Sequence, residues 1–184
     1  PLESGEIWIS RAAQQIRYPA HFQLIAAMNP CPCGYFGDDT RQCDCSAQQI
    51  HRYRSRLSGP LLDRIDLHIE VPPLPMGTLS DKATVEPKTC ELKSTIANTR
   101  TLMLERQGVL NSKLDNQQIA RHCPLSRGDT RILDDSVNQL GISARGYFKS
   151  LKVARTIADL SGINRIETPH LVGAIVYRKL DRSL

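Results

Sequence analysis

Four cysteines between residues 31 and 45, set between two apolar runs, constrain this chain more than any other feature. They fall in Phe22–Pro72, FQLIAAMNPCPCGYFGDDTRQCDCSAQQIHRYRSRLSGPLLDRIDLHIEVP. Cys31-Pro-Cys33 and Cys43-Asp-Cys45 are two CxC pairs with nine residues between them. Four thiolates satisfy tetrahedral zinc, and Gly34 and Gly37 let the loop fold back. Such a site has no open coordination position and is structural. CxC is a less usual spacing than CxxC, so four free thiols or a redox role stay open. Cys90 and Cys123 are isolated, and burial as small apolar residues is expected of both. Six cysteines without a secretory signal argue for a reducing, cytoplasmic setting, where close cysteines bind metal more often than they form disulfides.

The flanking runs read as strands. Phe22–Met28 is nearly all apolar, the pattern of a parallel strand covered on both faces. Asn29 stands where that strand would leave the sheet, at the carboxyl end where open α/β sheets bind ligands. Its amide suits orienting a water or touching a terminal phosphate. Asn before Pro is also a common turn residue, and both readings stand. After the cysteines, Ser46–Leu57 reads as a helix capped by Ser46, with Ile50, Tyr53 and Leu57 inward and His51, Arg52, Arg54 and Arg56 outward. Ser58-Gly59-Pro60 is a turn, and Leu67–Val71 is a second strand. Arg64 lies between Asp63 and Asp66. It is either a local ion pair or a guanidinium held by those carboxylates and presented to a phosphate.

Upstream, Glu6–Arg11 and a returning segment near Ile16–Tyr18 read as a hairpin. It carries Arg11, Gln14, Gln15 and Arg17, which are either a solvated surface or contacts for a polyanion such as DNA. Downstream, Pro72, Pro73, Pro75, Gly77 and Pro87 mark a linker. Beyond it the chain reads as helical. Helices are expected over Glu91–Gln107 (Thr89 cap, Gly108 stop), Asn116–His122, from Ser126 to Leu140 (Gly141 stop), from Ser143 to Leu160 (Gly162 stop) and after Thr168. In the helix after Ser143, Tyr147, Leu151, Ala154 and Ala158 share one face. Arg145 sits in its first turn, where a cation opposes the helix dipole, and this marks it as a ligand candidate. Arg155 is the second candidate, and a solvated basic face is the competing reading.

The expected fold is α/β followed by all-α. Residues 1–75 would form part of an α/β core with a partial parallel sheet, 76–90 a linker and 91–184 a helical domain. The net charge of +5 permits a nucleic-acid partner without requiring one. No apolar run approaches the roughly 18 residues of a membrane helix. The chain opens on proline in mid-pattern, and a piece of a longer protein is expected. No GxxxxGK[ST] and no DE pair ending an apolar run occurs, so the chain is not expected to hold ATP by itself.

With PLESGE and ISRA near the start, AAMNPCPCGYFGD, CDC, SGPLLDRIDLHIEVP, SARGYFKSLKVARTIADLSG and HLVGAIVYRKLDR, the sequence resembles the magnesium-chelatase-like AAA+ ATPases of the YifB/ComM type along essentially its whole length. The resemblance implies the C-terminal part of an AAA+ P-loop module followed by a helical lid. It also implies a hexameric ring with ATP and magnesium at the subunit interfaces. It assigns Asn29 to sensor 1, Arg64 to an arginine finger acting in trans, and Arg145 to sensor 2 with Arg155 as the alternative. Glu3–Tyr18 then matches a hairpin facing the central channel. Members are linked to natural transformation as DNA helicases that extend strand exchange by branch migration. Three functions are expected to compete: a DNA-translocating ATPase, an ATP-driven remodelling subunit acting on a protein, and a zinc-stabilised interaction module. The isolated chain is expected to be monomeric and inactive.

Overall fold

The computed structural model describes residues 2–11, 14–72, 74 and 89–178. These divide into two units, Pro1–Ile65 and Asp66–Ser183. Most of the expected 76–90 linker lies outside the described residues; Thr89 and Cys90 open a helix.

The first unit begins with an antiparallel hairpin, β1 (Glu6–Arg11) and β2 (Gln14–Pro19). Ile9 opposes Ile16, Trp8 opposes Arg17 and Arg11 opposes Gln14. Gly5 closes its base: Ala20 N–H donates to the Gly5 carbonyl at 2.7 Å. The position has φ +67°, and a Cβ there would lie 2.5 Å from the His21 ring, so only glycine fits. A cysteine loop leads into α1 (Ala47–Arg54), and α2 (Gly59–Leu62) follows. Ser46 caps α1 in a reciprocal box with Gln49. Ile50, Tyr53 and Leu57 are half-buried, on the inward side expected of them.

The expected strands Phe22–Met28 and Leu67–Val71 do not form. Neither segment joins a strand ladder among the described residues, and Ile25 and Val71 are each 84% exposed. Apolar character alone does not make a strand, because the backbone N–H and C=O groups need a neighbour to pair with. The sheet among the described residues is therefore the two-stranded antiparallel hairpin, not a parallel one.

The second unit is helical: α3 (Thr89–Gln107), a 3-10 turn (Asn111–Lys113), α4 (Asn116–His122), α5 (Arg127–Leu140), α6 (Ala144–Leu160) and α7 (Thr168–Val176). Ser126 and Ser143 cap α5 and α6, and Gly108 and Gly141 follow α3 and α5 with positive φ. Glu167, not Thr168, is the cap of α7. Thr168 instead donates to Asp129 at 2.6 Å, and Ser126 donates to the other Asp129 oxygen at 2.7 Å, tying the starts of α5 and α7 together.

Helix α6 is the spine, packed against α3, α4, α7 and the 3-10 turn. Ala154 and Ala158 are wholly buried on it, and their small side chains let neighbouring helices approach closely. Leu114, Ile119, Cys123, Leu133, Leu151, Ile166 and Leu171 complete the core. Cys123 is buried as expected, whereas Cys90 is exposed. Residues 66–71 attach to this unit through His68 N–H, which donates to the Tyr177 carbonyl at 2.9 Å. Lys149 Nζ lies 2.6 Å from Asp66 Oδ1. No helix among the described residues is long and apolar enough to cross a membrane.

Candidate functional site

The four-cysteine loop is the best-defined candidate. Cys31, Cys33, Cys43 and Cys45 place their sulfurs within 4.8 Å of one another. Measured separations are 3.3 Å for Cys31–Cys33, 3.7 Å for Cys31–Cys43 and 3.5 Å for Cys33–Cys43. Four sulfurs at the usual zinc–sulfur distance would stand about 3.8 Å apart at tetrahedral corners, so the set fits one ion. The loop achieves this with a turn after the first pair, in which Gly34 N–H donates to the Cys31 carbonyl at 3.1 Å, with Gly34 at φ +87°.

The thiols divide into two acidic and two reluctant groups. The backbone N–H of Tyr35 pulls Cys33 down to about 6. Burial and the Cys33 thiol oppose ionisation of Cys31, but the N–H groups of Phe36 and Gly34 and the Cys43 thiol outweigh them and lower it. Cys43 is pushed up to about 12: the Cys45 N–H lowers it, but burial and the neighbouring Cys33 and Cys31 sulfurs prevail. Cys45 is raised likewise, since burial and the Cys33 and Cys31 sulfurs outweigh the Cys33 backbone hydrogen bond that lowers it. A divalent ion would replace the protons that two of these sulfurs retain.

The loop is tied to its surroundings by arginines. Arg54, in the last turn of α1, donates from Nε to the Pro30 carbonyl at 3.1 Å, and its guanidinium lies 5.0 Å from the Phe36 ring centroid. Arg41 covers Tyr35 at 4.0 Å. By sequence Arg54 falls on the outward face of α1; in the fold it turns back onto the loop.

Asn29 is exposed and directly precedes Pro30. Its amide lies against Gly34, where a Cβ would be 3.8 Å from Nδ2. Arg64 is half-buried just after α2. Its Nη1 donates to the Pro60 carbonyl at 2.6 Å, and Nε lies 3.4 Å from Glu3 Oε2. The expected role of Asp66 as its flanking carboxylate is corrected: Asp66 pairs with Lys149. Glu3 carried no signal in the sequence as the partner, because the pairing depends on how the hairpin folds back.

Arg145 is exposed in the first turn of α6. Arg155 is 1% exposed. Its Nε donates to Asp159 Oδ1 at 3.1 Å, Nη1 to the Asn164 carbonyl at 2.8 Å and Nη2 to the Ile163 carbonyl at 2.6 Å. Arg155, the second candidate for the nucleotide-contacting cation, is thus buried and bonded inside the helical unit. Asp159 is also gripped by Arg106 and by Asn111 Nδ2 at 2.8 Å.

The hairpin residues do not form one patch. Arg11 and Gln14 share a face with Ile7, Ile9, Ile16 and Tyr18, and Gln15 and Arg17 share the other with Trp8. All are exposed. Arg17 lies 3.3 Å from Glu6 and 6.0 Å from the Trp8 ring centroid.

Family models for magnesium chelatase subunit ChlI match residues 1–79, and for its C-terminal part residues 86–178. The chain belongs to the magnesium chelatase ChlI family. Within it, the chain is 47% identical to competence protein ComM of Haemophilus influenzae over its full length, which is 36% of that relative. It is 43% identical to YifB of Salmonella typhimurium and 42% to YifB of Escherichia coli, with the same coverage of each. The YifB/ComM resemblance is thus met, and the chain spans 36% of the length of these relatives.

Proposed function

We propose that the full-length protein is a ring-forming, ATP-driven DNA motor of the helicase or branch-migration kind, and that this chain completes its nucleotide sites. The observation that carries the reading is the similarity to a competence protein along the whole chain. In this reading residues 1–75 are the C-terminal part of an AAA+ core and 91–184 its lid. Phe22–Met28 and Leu67–Val71 are apolar edges that pair with core strands elsewhere in the polypeptide.

Phosphoryl transfer asks a protein chiefly for positioning and for positive charge at the transferring phosphate. Arg64 supplies that charge to a neighbouring subunit in a hexamer. The Pro60 carbonyl and Glu3 limit its rotamers, so little side-chain entropy is lost on use. Asn29 orients water or the terminal phosphate, and Arg145, exposed where Arg155 is not, serves as the lid cation. ATP and magnesium bind at that shared site. The four cysteines hold one zinc ion, which supplies rigidity and no chemistry. DNA is met by the hairpin through Arg11, Gln14, Gln15 and Arg17, with Trp8 offering a ring for base stacking.

A second reading, ATP-driven remodelling of a protein partner, is favoured by the exposed apolar row Ile7, Ile9, Ile16 and Tyr18. Steady-state ATP hydrolysis by the full-length protein, with and without single-stranded and forked DNA, separates the two. The DNA motor predicts strong stimulation by DNA. Hydrolysis indifferent to every DNA form would refute it in favour of remodelling.

A further inference from the structure

The four-cysteine loop does more in this fold than close on itself. Its first cysteine follows Asn29 by two positions, with only Pro30 between. The carbonyl of Pro30 is the acceptor that Arg54 holds at 3.1 Å from the far end of α1. The same guanidinium sits 5.0 Å from Phe36, which lies between the two cysteine pairs. Arg54 therefore bridges the entry to the loop, the middle of the loop and the helix that follows it. On the other side, the Asn29 amide rests against Gly34, the residue that turns the chain after Cys33, with a Cβ there 3.8 Å from Nδ2.

We infer that Arg54 and the metal-filled cysteine loop form a buttress that fixes Asn29. Arg54 is a positioning residue: it sets the Pro30 peptide and through it the direction of the Asn29 side chain. The metal makes the loop stiff enough to transmit that constraint. The inference rests on the proposed role of Asn29 at the nucleotide for its effect on rate, but not for its effect on the backbone. Misplacing a positioned group by about 1 Å can cost on the order of 100-fold in rate without weakening ground-state binding.

The test uses the full-length protein, with amide hydrogen exchange of a peptide covering residues 22–31 as one readout and ATP hydrolysis as the other. Arg54→Ala is expected to speed exchange in that peptide. It should also lower kcat by about 10- to 100-fold with KM for ATP little changed. Arg54→Lys, which keeps a donor and a cation, should recover part of both. Stripping zinc from the unmodified protein with a chelator should speed the same exchange. Parental exchange in Arg54→Ala, or unchanged exchange after zinc removal, overturns the buttress. Should Arg54→Ala fail to fold, Phe36→Leu, which removes the ring beneath the guanidinium, is read the same way. Asn29→Ala distinguishes the two layers. If it hydrolyses ATP at the parental rate, the nucleotide role of Asn29 fails, while the exchange results still judge the buttress.

Discussion

Two arginines ten residues apart on one helix show how environment decides the use of a side chain. Arg155 is enclosed, and its charge is met by Asp159 and two backbone carbonyls. Arg145 is exposed in the first turn of the same helix. Removing Arg155 takes one of two cations from Asp159 and leaves the Ile163 and Asn164 carbonyls without that donor, and breaking a buried ion pair costs up to about 3–5 kcal/mol. Arg155→Ala should therefore lower the thermal midpoint of the helical unit steeply. The same cluster sets an acid limit. Burial alone would raise the Asp159 pKa, but hydrogen bonds from Arg106 and Asn111 and the nearby Arg155 and Arg106 charges hold it below the usual carboxylate range. A carboxylate with a lowered folded pKa contributes fully above its unfolded value and loses that contribution as the pH falls through the folded one. Unfolding followed by circular dichroism should show that acid loss in the parent and much less of it in Asp159→Asn. A parent-like melting curve for Arg155→Ala would contradict this account of the network.

At the scale of elements, the cysteine loop is a short segment held by a turn, four close sulfurs and arginine contacts. Full-length protein purified without chelator should carry about one zinc per chain by elemental analysis, and Cys31→Ser should lose most of it. Metal-free protein from such a preparation would contradict the site. The loop and the helices were legible from sequence because their signals are local. CxC pairs, Ser126 and Ser143 before apolar periodicity, and Gly108 and Gly141 after it each act over a few residues. The hairpin was legible for the same reason, through alternation. What sequence could not resolve depends on distant partners. Phe22–Met28 has the composition of a strand, but a strand is a relation between two segments. The burial of Arg155, a ligand candidate by sequence, is not legible there because its acceptors, the Ile163 and Asn164 carbonyls, become available only when the chain turns after α6. Arg54 was placed on a solvated face because Pro30 lies far back in the chain, beyond the cysteine loop.

For the molecule as a whole, the described residues carry Asn29, Arg64 and Arg145, the side chains proposed to finish a nucleotide site, and two apolar segments outside the hairpin sheet. The relatives are nearly three times as long as this chain, which covers 36% of each. In the proposed ring of identical subunits, each site would be completed by a neighbour's arginine. The central claim is that Arg64 is that arginine. Its most direct test is ATP binding and ATP hydrolysis measured side by side in full-length protein carrying Arg64→Ala. The account predicts ATP affinity close to the parent's, with hydrolysis reduced by about 10³-fold or more. Hydrolysis at the parental rate would contradict it and return Arg64 to a local ion pair with Glu3.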